Sequence, residues 1–423
     1  MNCLINYQMT NNIFWIDTKH DVKKSYNDLL NDINEASVAY PYIKQEETYN
    51  MFLYLLINII HDIDTIIIDH DVKEKELELL NINQENINKV ILLDSKITFT
   101  FKDIFFLFKG SKSKWQLSLF TSGTTGTPKK INHDIKNLIR NVRLSEKYTS
   151  NIWGFAYNAT HYAGLQVFFQ AFMNKNPMIN IFDIKIIDIE QLLFDYKITN
   201  ISATPTYYRS LSPMLTKKNK NVQHITLGGE KFDGDIQKTL ACFFVNTKFH
   251  NIYASTEAGS LLNSNGESFS IPHQLKTKIK ISESNELLIH YSLLGKSNAI
   301  KVEADWYNSG DIIEKINEDN FLIKGRKSDI INVGGYNVSP SEVENLIRKN
   351  KSVFDVLVRG RSNKLTGNII VADVVRKDDT PELELKNQIL LDLNNNLQNY
   401  KIPRIFTFVD EIKKSRTGKI IRK

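Results

Sequence analysis

Between Tyr26 and Tyr253 the chain alternates short apolar runs with helical periodicities, and this rhythm limits its fold more than any other feature. Tyr26, Leu29, Leu30 and Ile33 recur at helical spacing. Thr65-Ile-Ile-Ile-Asp69 and Val90-Ile-Leu-Leu93 read as short buried strands, and residues 115–120 alternate as another. A helix carrying Ile135, Leu138, Ile139 and Val142 on one face is expected next. The pattern then predicts strands at 152–156, 178–182, 200–203, 224–227 and 249–253, separated by helices that include 164–173 and 187–196. Strands joined by helical crossovers pair in parallel, so the class is α/β with mainly parallel sheets.

After about residue 275 the pattern changes to short, antiparallel-looking strands at 277–282 and 286–291. A last unit starts near Arg326. Ser339-Pro-Ser-Glu342 reads as a capping box with proline at the first helical position, opening a helix with Val343, Leu346 and Ile347. Strands at 355–359, 369–375 and 405–409 and a helix at 382–397 complete a small α+β domain. The expected division is 1–325 and 326–423. No repeat or low-complexity linker separates the parts, so a tight hinge is expected near 325–328.

The chain of 423 residues is long enough for two or three domains. Its two cysteines, Cys3 and Cys242, supply neither a disulfide framework nor metal spacing, which fits a reducing compartment. No signal peptide is read at residues 1–21, and the most apolar run, 51–60, is too short to span a bilayer. A cytoplasmic protein without a membrane span is therefore expected. The net charge of +6 is modest, and the basic tail from Lys413 lacks interleaved aromatics, so no nucleic-acid partner is expected.

Glycine is absent before Gly110 and afterwards gathers in short segments. One is Thr121-Ser-Gly-Thr-Thr-Gly-Thr-Pro-Lys-Lys130, where hydroxyls surround Gly123 and Gly126 and lysines follow. Glycine lets backbone N–H groups converge on an anion, hydroxyls add donors and lysine adds charge. The common nucleotide loop separates its glycines by four residues; here two intervene. A triphosphate remains the natural ligand. A strand, this segment and then a helix would set the phosphate near a helix N-terminus.

Four further segments follow in order: Tyr253-Ala-Ser-Thr-Glu257; Trp306-Tyr-Asn-Ser-Gly-Asp311; Gly325-Arg326 with Asn332-Val-Gly-Gly-Tyr-Asn-Val-Ser-Pro340; and Ser415-Arg-Thr-Gly-Lys419. With the Thr/Gly run, these five resemble the motifs of the acyl-adenylate-forming superfamily, and most closely its acyl-CoA synthetase or acid–thiol ligase branch. The resemblance implies a large AMP- and acid-binding domain and a small mobile C-terminal lid. It implies ATP and Mg²⁺ as cofactors, a small or medium carboxylic acid as substrate, and CoA or the phosphopantetheine of an acyl carrier protein as acceptor.

Site roles follow from the same resemblance. Thr121, Ser122, Gly123, Thr124, Thr125, Gly126 and Lys129 would hold the β- and γ-phosphates. Glu257 would hold Mg²⁺, and Thr256 would touch the α-phosphate. Tyr253, with Ala254 and Ser255 beside it, and the backbone of Gly228, Gly229 and Glu230 would enclose adenine. Asp311 would accept the ribose hydroxyls, with Arg326 nearby. Lys419 would be the adenylation catalyst. Ser328 would be the hinge of a rotation that brings the turn at Gly334 and Gly335 to line the thiol tunnel.

The segment 153–164 stands where such enzymes line the acid pocket, with Asn158, His161 and Gly164 as its candidates. Amino-acid-activating relatives carry an aspartate there. This segment has none, which disfavours a free α-amino acid because a buried cation needs a carboxylate. Amino-acid adenylation for a carrier protein, a kinase or NTPase, and a nucleotide-binding protein without ligase activity are the competing readings.

Overall fold

The structure, a computed structural model, describes residues 13–94, 97–109, 113–121, 129–317, 320–333, 335–363 and 367–413. It divides into two compact units, residues 1–280 with 288–307, and residues 281–287 with 308–423.

In chain order, the first unit is built on β1 (Ile13–Asp17), β2 (Val22–Ser25), α1 (Tyr26–Glu35), β3 (Tyr42–Ile43), α2 (Thr48–Ile60), β4 (Thr65–Ile67), β5 (Gln116–Thr121) and β6 (Lys129–Asp134). It continues with α3 (Ile135–Ile139), β7 (Trp153–Phe155), α4 (Tyr162–Met173), β8 (Met178–Asn180), β9 (Asn200–Ala203) and α5 (Pro205–Leu211). Last come β10 (His224–Gly228), α6 (Gly234–Phe243), β11 (Lys248–Ser255) and β12 (Gly259–Ser264). Eight of these strands form one sheet in the order β12-β11-β10-β9-β7-β8-β1-β2. Its inner pairs are parallel, with Asn200 opposite both Trp153 and His224, and only the edge pairs β11–β12 and β1–β2 are antiparallel. The mainly parallel α/β reading holds. The carboxyl ends of β9, β10 and β11 therefore share one edge, where ligands of such sheets bind.

A second sheet orders β3-β4-β5-β6. Helix α2, apolar on every side, is buried against both aromatic and aliphatic neighbours. Phe52 stacks on Phe168 with centroids 4.3 Å apart, and Trp15 meets Phe52 edge-on at 5.4 Å. Each such ring contributes about 2–3 kcal/mol by burial. The core cluster that includes Ile201, Ile225, Tyr208 and Leu240 packs β9 and β10 with α5 and α6.

Two expectations about this unit are corrected. The run at 90–93 forms only the two-residue strand Ile91–Leu92, paired with Val38–Ala39, and Leu92 is exposed. A strand, β6, and not a helix, follows the Thr/Gly segment: Thr121 pairs with Lys129 across the antiparallel β5–β6 ladder. Helix α3 is five residues long and starts only at Ile135, so the segment does not lead into a helix N-terminus. The polar-apolar alternation of 129–134, continuous with the helical pattern behind it, was absorbed into that pattern.

The second unit carries β13 (Trp306–Lys315, from Asn308 onward), β14 (Asn320–Arg326), β15 (Ile331–Val333), β16 (Tyr336–Val338), α7 (Pro340–Ile347), β17 (Val353–Asn363), β18 (Gly367–Arg376), α8 (Glu382–Asn396) and β19 (Ile405–Phe408). Strands β17, β18 and β19 form a sheet, and Val343, Val356, Ala372, Leu385 and Leu393 share its core with α7 and α8. Proline opens α7 as expected, but the capping box is not made. Ser339 Oγ lies 3.0 Å from Ser341 Oγ, and Glu342 turns away to accept from Lys401 Nζ at 2.8 Å, a charged partner that a backbone N–H does not match. No helix among the described residues is long and apolar enough to cross a membrane.

Candidate active site

At the shared edge of the parallel strands, β11 and β12 are joined by the turn Thr256-Glu257-Ala258. Its three consecutive carbonyls are each held from outside. His133 Nε2 donates to the Thr256 oxygen at 2.8 Å, the Gly295 N–H to the Glu257 oxygen at 2.7 Å, and Arg140 Nη2 to the Ala258 oxygen at 2.6 Å. Ser255 Oγ accepts from the Ala258 N–H at 3.1 Å. A carbonyl only accepts, so Nε2 of His133 carries the proton. Burial pushes the His133 ring down to about 4, which keeps it neutral at pH 7. Gly259 closes the turn at φ +70°, and a Cβ there would run into the Tyr162 ring.

The turn is thus rigid in its backbone and presents two side chains, Thr256 and Glu257. The half-buried Glu257 carboxylate makes no hydrogen bond or ion pair among the described residues. No cluster of three or more metal-ligating side chains exists among those residues either. One hard carboxylate on a fixed turn fits Mg²⁺, which is held by one or two carboxylates together with substrate phosphates and water.

Beside this turn, β10 ends at Gly228. Gly229 sits at φ +80°, a conformation that favours glycine. A Cβ on Gly228 would meet Tyr157 Oη and Ile252 only at ordinary contact distances, 3.5 and 3.6 Å. The Glu230 carboxylate is occupied: it accepts from the Thr206 N–H at 3.0 Å and the Thr206 hydroxyl at 2.7 Å, and lies 3.7 Å from Arg209 Nη2. It ties the loop to the start of α5. Tyr253 is half-buried on β11, edge-on to Phe269 at 6.5 Å, and a bulge separates it from Ala254. Lys129, the first residue of β6, is half-buried.

The segment after β7 is organised by a residue far away in sequence. Asp69, just past β4, accepts from Asn158 Nδ2 at 2.8 Å and from the Thr160 hydroxyl, and its Oδ2 lies 3.7 Å from His161 Nε2. Asn158 Oδ1 also accepts from the Thr160 N–H at 3.0 Å. His161 is the N-cap residue of α4. Gly164 lies where a Cβ would strike the Asn158 carbonyl, so it lets the loop lie flat on the helix. Asn158, His161 and Gly164 are thus brought together, with a carboxylate that the segment itself lacks.

In the second unit, Asp311 pairs with Arg326 across the β13–β14 ladder. Asp311 is buried, and Arg326 Nε lies 3.3 Å from its Oδ1. The strand is shaped just before it: Gly310 has φ +74°, its N–H donates to Asn308 Oδ1 at 2.9 Å, and the Asp311 N–H donates to Ser309 Oγ at 3.1 Å. Ser328 lies in a single 3₁₀ turn, Lys327–Asp329, its hydroxyl donating to Asp329 Oδ1 at 3.2 Å. Lys327 Nζ lies 3.2 Å from Glu286 Oε1. Burial works to raise the Glu286 carboxyl, but bonds from Ser284, Lys327 and Asn308 hold it below its ordinary value. Gly335, at φ +90°, belongs to the tight turn between β15 and β16, and its N–H donates to Asn332 Oδ1 at 3.1 Å.

Ser122, Gly123, Thr124, Thr125, Gly126, Gly334 and Lys419 lie outside the described residues, as does the side chain of Thr121. Sequence reasoning missed Asp69, His133, Arg140 and Gly295. Gly295 is required because a Cβ there would lie 2.7 Å from Ile131 Cγ2 and 2.8 Å from His133 Cε1. Only His133 left a trace, as a polar residue on the apolar phase of 131, 133 and 135.

Residues 68–282, half of the chain, match the family pattern described as AMP-binding enzyme, and residues 342–419 match the AMP-binding enzyme C-terminal domain. The 2-succinylbenzoate–CoA ligase of Listeria monocytogenes (serotype 4b, strain F2365) is 29% identical over 342 residues, 73% of this chain and 70% of that protein. A mitochondrial acyl-coenzyme A synthetase of Mus musculus is 26% identical over 370 residues, 74% of this chain and 62% of that protein. Among solved structures, the o-succinylbenzoate CoA synthetase of Bacillus subtilis, in complex with its acyl-adenylate intermediate, shares the fold with a TM-score of 0.72. It has 17% identity, over 99% of this chain and 96% of that one. ATP-bound MatB from Rhodopseudomonas palustris has a TM-score of 0.73 and 16% identity over 97% of this chain and 94% of that one.

Proposed function

The chain belongs to the AMP-binding enzyme family, and from that premise we propose that it joins a small or medium carboxylic acid to AMP and then passes the acyl group to a thiol. It is an AMP-forming acid–thiol ligase of the acyl-CoA synthetase branch, using ATP and Mg²⁺ and forming a carbon–sulfur bond. CoA is the acceptor we assign, as the names of its ligase relatives state for them.

The acid's carboxylate oxygen attacks the α-phosphorus, the bond to the β-phosphate oxygen breaks, and pyrophosphate leaves. A thiolate then attacks the acyl carbon and AMP leaves. The first step brings anions together, so the protein must supply fixed positive and donor groups. Bound Mg²⁺ would neutralise phosphate charge, held by Glu257. Thr256 would donate to the α-phosphate. Residues 121–126 with Lys129 would bind the terminal phosphates, Tyr253 to Ser255 and the backbone of 228–230 the adenine, and Asp311 with Arg326 the ribose. Lys419 would carry the positive charge that follows the reacting oxygens. Asn158, His161 and Gly164 would border the acid. An AMP- and acid-binding part at 1–325 and a mobile part at 326–423, with Ser328 as hinge and Gly334 and Gly335 beside the thiol, belong to the same proposal.

The observation that supports this reading is the 256–258 turn, whose three carbonyls are each held while the Glu257 carboxylate makes no hydrogen bond or ion pair among the described residues. Acid-dependent exchange of labelled pyrophosphate into ATP tests it. The panel should include 2-succinylbenzoate, benzoate, a hydroxybenzoate and hexanoate. Exchange with at least one acid, followed by acyl-CoA on adding CoA, is the expected result. ADP as product would reject it.

A further inference from the structure

We propose that His133 is a positioning residue for adenylation, acting through the Thr256 carbonyl to fix Thr256 and Glu257 relative to the strand that leaves the Thr/Gly segment. The inference rests on the roles given above to Thr256 and Glu257. His133 is the fifth residue of β6, a strand that begins at Lys129 directly after that segment. Its side chain is 1% exposed, and it makes one hydrogen bond, to the turn. Its other nitrogen, Nδ1, is buried with no hydrogen-bond partner among the described residues.

A buried ring nitrogen without a partner is unfavourable, so an apolar side chain of similar size would serve packing at least as well. What the imidazole adds is the one directional contact to Thr256. Arg140 and Gly295 hold the next two carbonyls, but neither lies on β6. Among the described residues, His133 is therefore the side chain of β6 that bonds the turn bearing Thr256 and Glu257 directly, whereas the Asn132–Lys296 bridge reaches it only through Gly295. Reacting groups displaced by a fraction of an ångström lose rate steeply, so loosening this tie should act on turnover and on the metal requirement. It should not act on the acid, whose proposed neighbours Asn158 and His161 gather around Asp69.

The test is pyrophosphate exchange by the full-length chain and by His133→Phe and His133→Gln, normalised to folded protein, with ATP, Mg²⁺ and acid each varied. Phenylalanine keeps the volume and removes the donor; the glutamine amide can donate from nearly the position of Nε2. In His133→Phe, kcat should fall about tenfold or more and the Mg²⁺ needed for half activity should rise about threefold, while the acid KM stays within about twofold. His133→Gln should recover most of both losses. A folded His133→Phe with wild-type kcat and Mg²⁺ dependence overturns the proposal. So does a His133→Gln as impaired as His133→Phe, or a loss shared equally by the acid KM. If His133→Phe does not fold, His133→Asn, whose amide is one bond short, takes its place under the same criteria. A wild-type chain that shows no exchange with any acid defeats the ligase reading and this inference with it; an active wild type beside an unimpaired variant defeats this inference alone.

Discussion

Asn158 donates its side-chain amide to Asp69 at 2.8 Å, across 89 positions of sequence. A loop that contains no aspartate of its own is thereby organised by a carboxylate delivered from the end of β4. Replacing Asp69 by alanine releases both Asn158 and Thr160, and should raise the KM for the acid about tenfold while leaving that for ATP within about twofold. Asp69→Asn keeps an acceptor oxygen and should be milder. Steady-state exchange kinetics with acid and ATP varied separately decide this; an effect on ATP alone would contradict it.

The pair formed by Asp311 and Arg326 predicts an asymmetry. Asp311 is buried while the Arg326 side chain is 45% exposed, so removing the arginine takes a nearby cation from a desolvated carboxylate, whereas removing the carboxylate leaves a cation with access to water. Arg326→Ala should therefore cost about 1–2 kcal/mol more in equilibrium unfolding than Asp311→Asn, a figure reduced for solvent screening at the exposed partner. Both should weaken ATP. Equal stability losses would contradict the assignment of burial as the cause.

Gly259→Ala combines an unfavourable φ of +70° with a Cβ driven into the Tyr162 ring. The expected loss is about 2–4 kcal/mol of stability, measured by denaturant unfolding. A loss under about 1 kcal/mol would mean that the turn after Glu257 is far softer than its contacts imply.

His224 and His250 stack across β10 and β11 with centroids 5.5 Å apart, and Nδ1 of one lies 3.2 Å from Nε2 of the other. Burial, then the neighbouring His250 and Lys248, lowers His224 below its ordinary value; burial, then Arg143, lowers His250, partly opposed by Asn265. Protons therefore bind the unfolded chain first. The pair's contribution to stability is complete above a pH of about 6.5 and is lost as pH falls below it. The difference in Tm between pH 7.5 and 5.5 should shrink in the double variant His224→Gln, His250→Gln. An unchanged difference would contradict it.

Much of the α/β frame was legible because its signals are local. The strand at 200–203 and the helix at 382–396 follow directly from apolar runs and periodicity. The β6 strand was not, since an alternating hexamer next to a helical pattern has no boundary signal until its partner β5 is known. The Ser339 capping box failed for a similar reason: Lys401, distant in sequence, takes Glu342. Of the candidate site residues, the resemblance of the ordered motifs pointed to Thr256, Glu257, Asp311 and Arg326. The residues that hold the 256–258 turn, His133, Arg140 and Gly295, and the one that organises the 158–161 segment, Asp69, act through contacts made only when distant segments meet.

The central claim is that this chain makes acyl-adenylates with Lys419 as the cation at the reacting oxygens. The most direct measurement compares wild type and Lys419→Ala for acid-dependent pyrophosphate exchange, alongside ATP binding by calorimetry. The expected result is exchange reduced by about a hundredfold or more with ATP affinity within about threefold. Full exchange in the variant, or ADP in place of AMP and pyrophosphate from the wild type, would contradict the account.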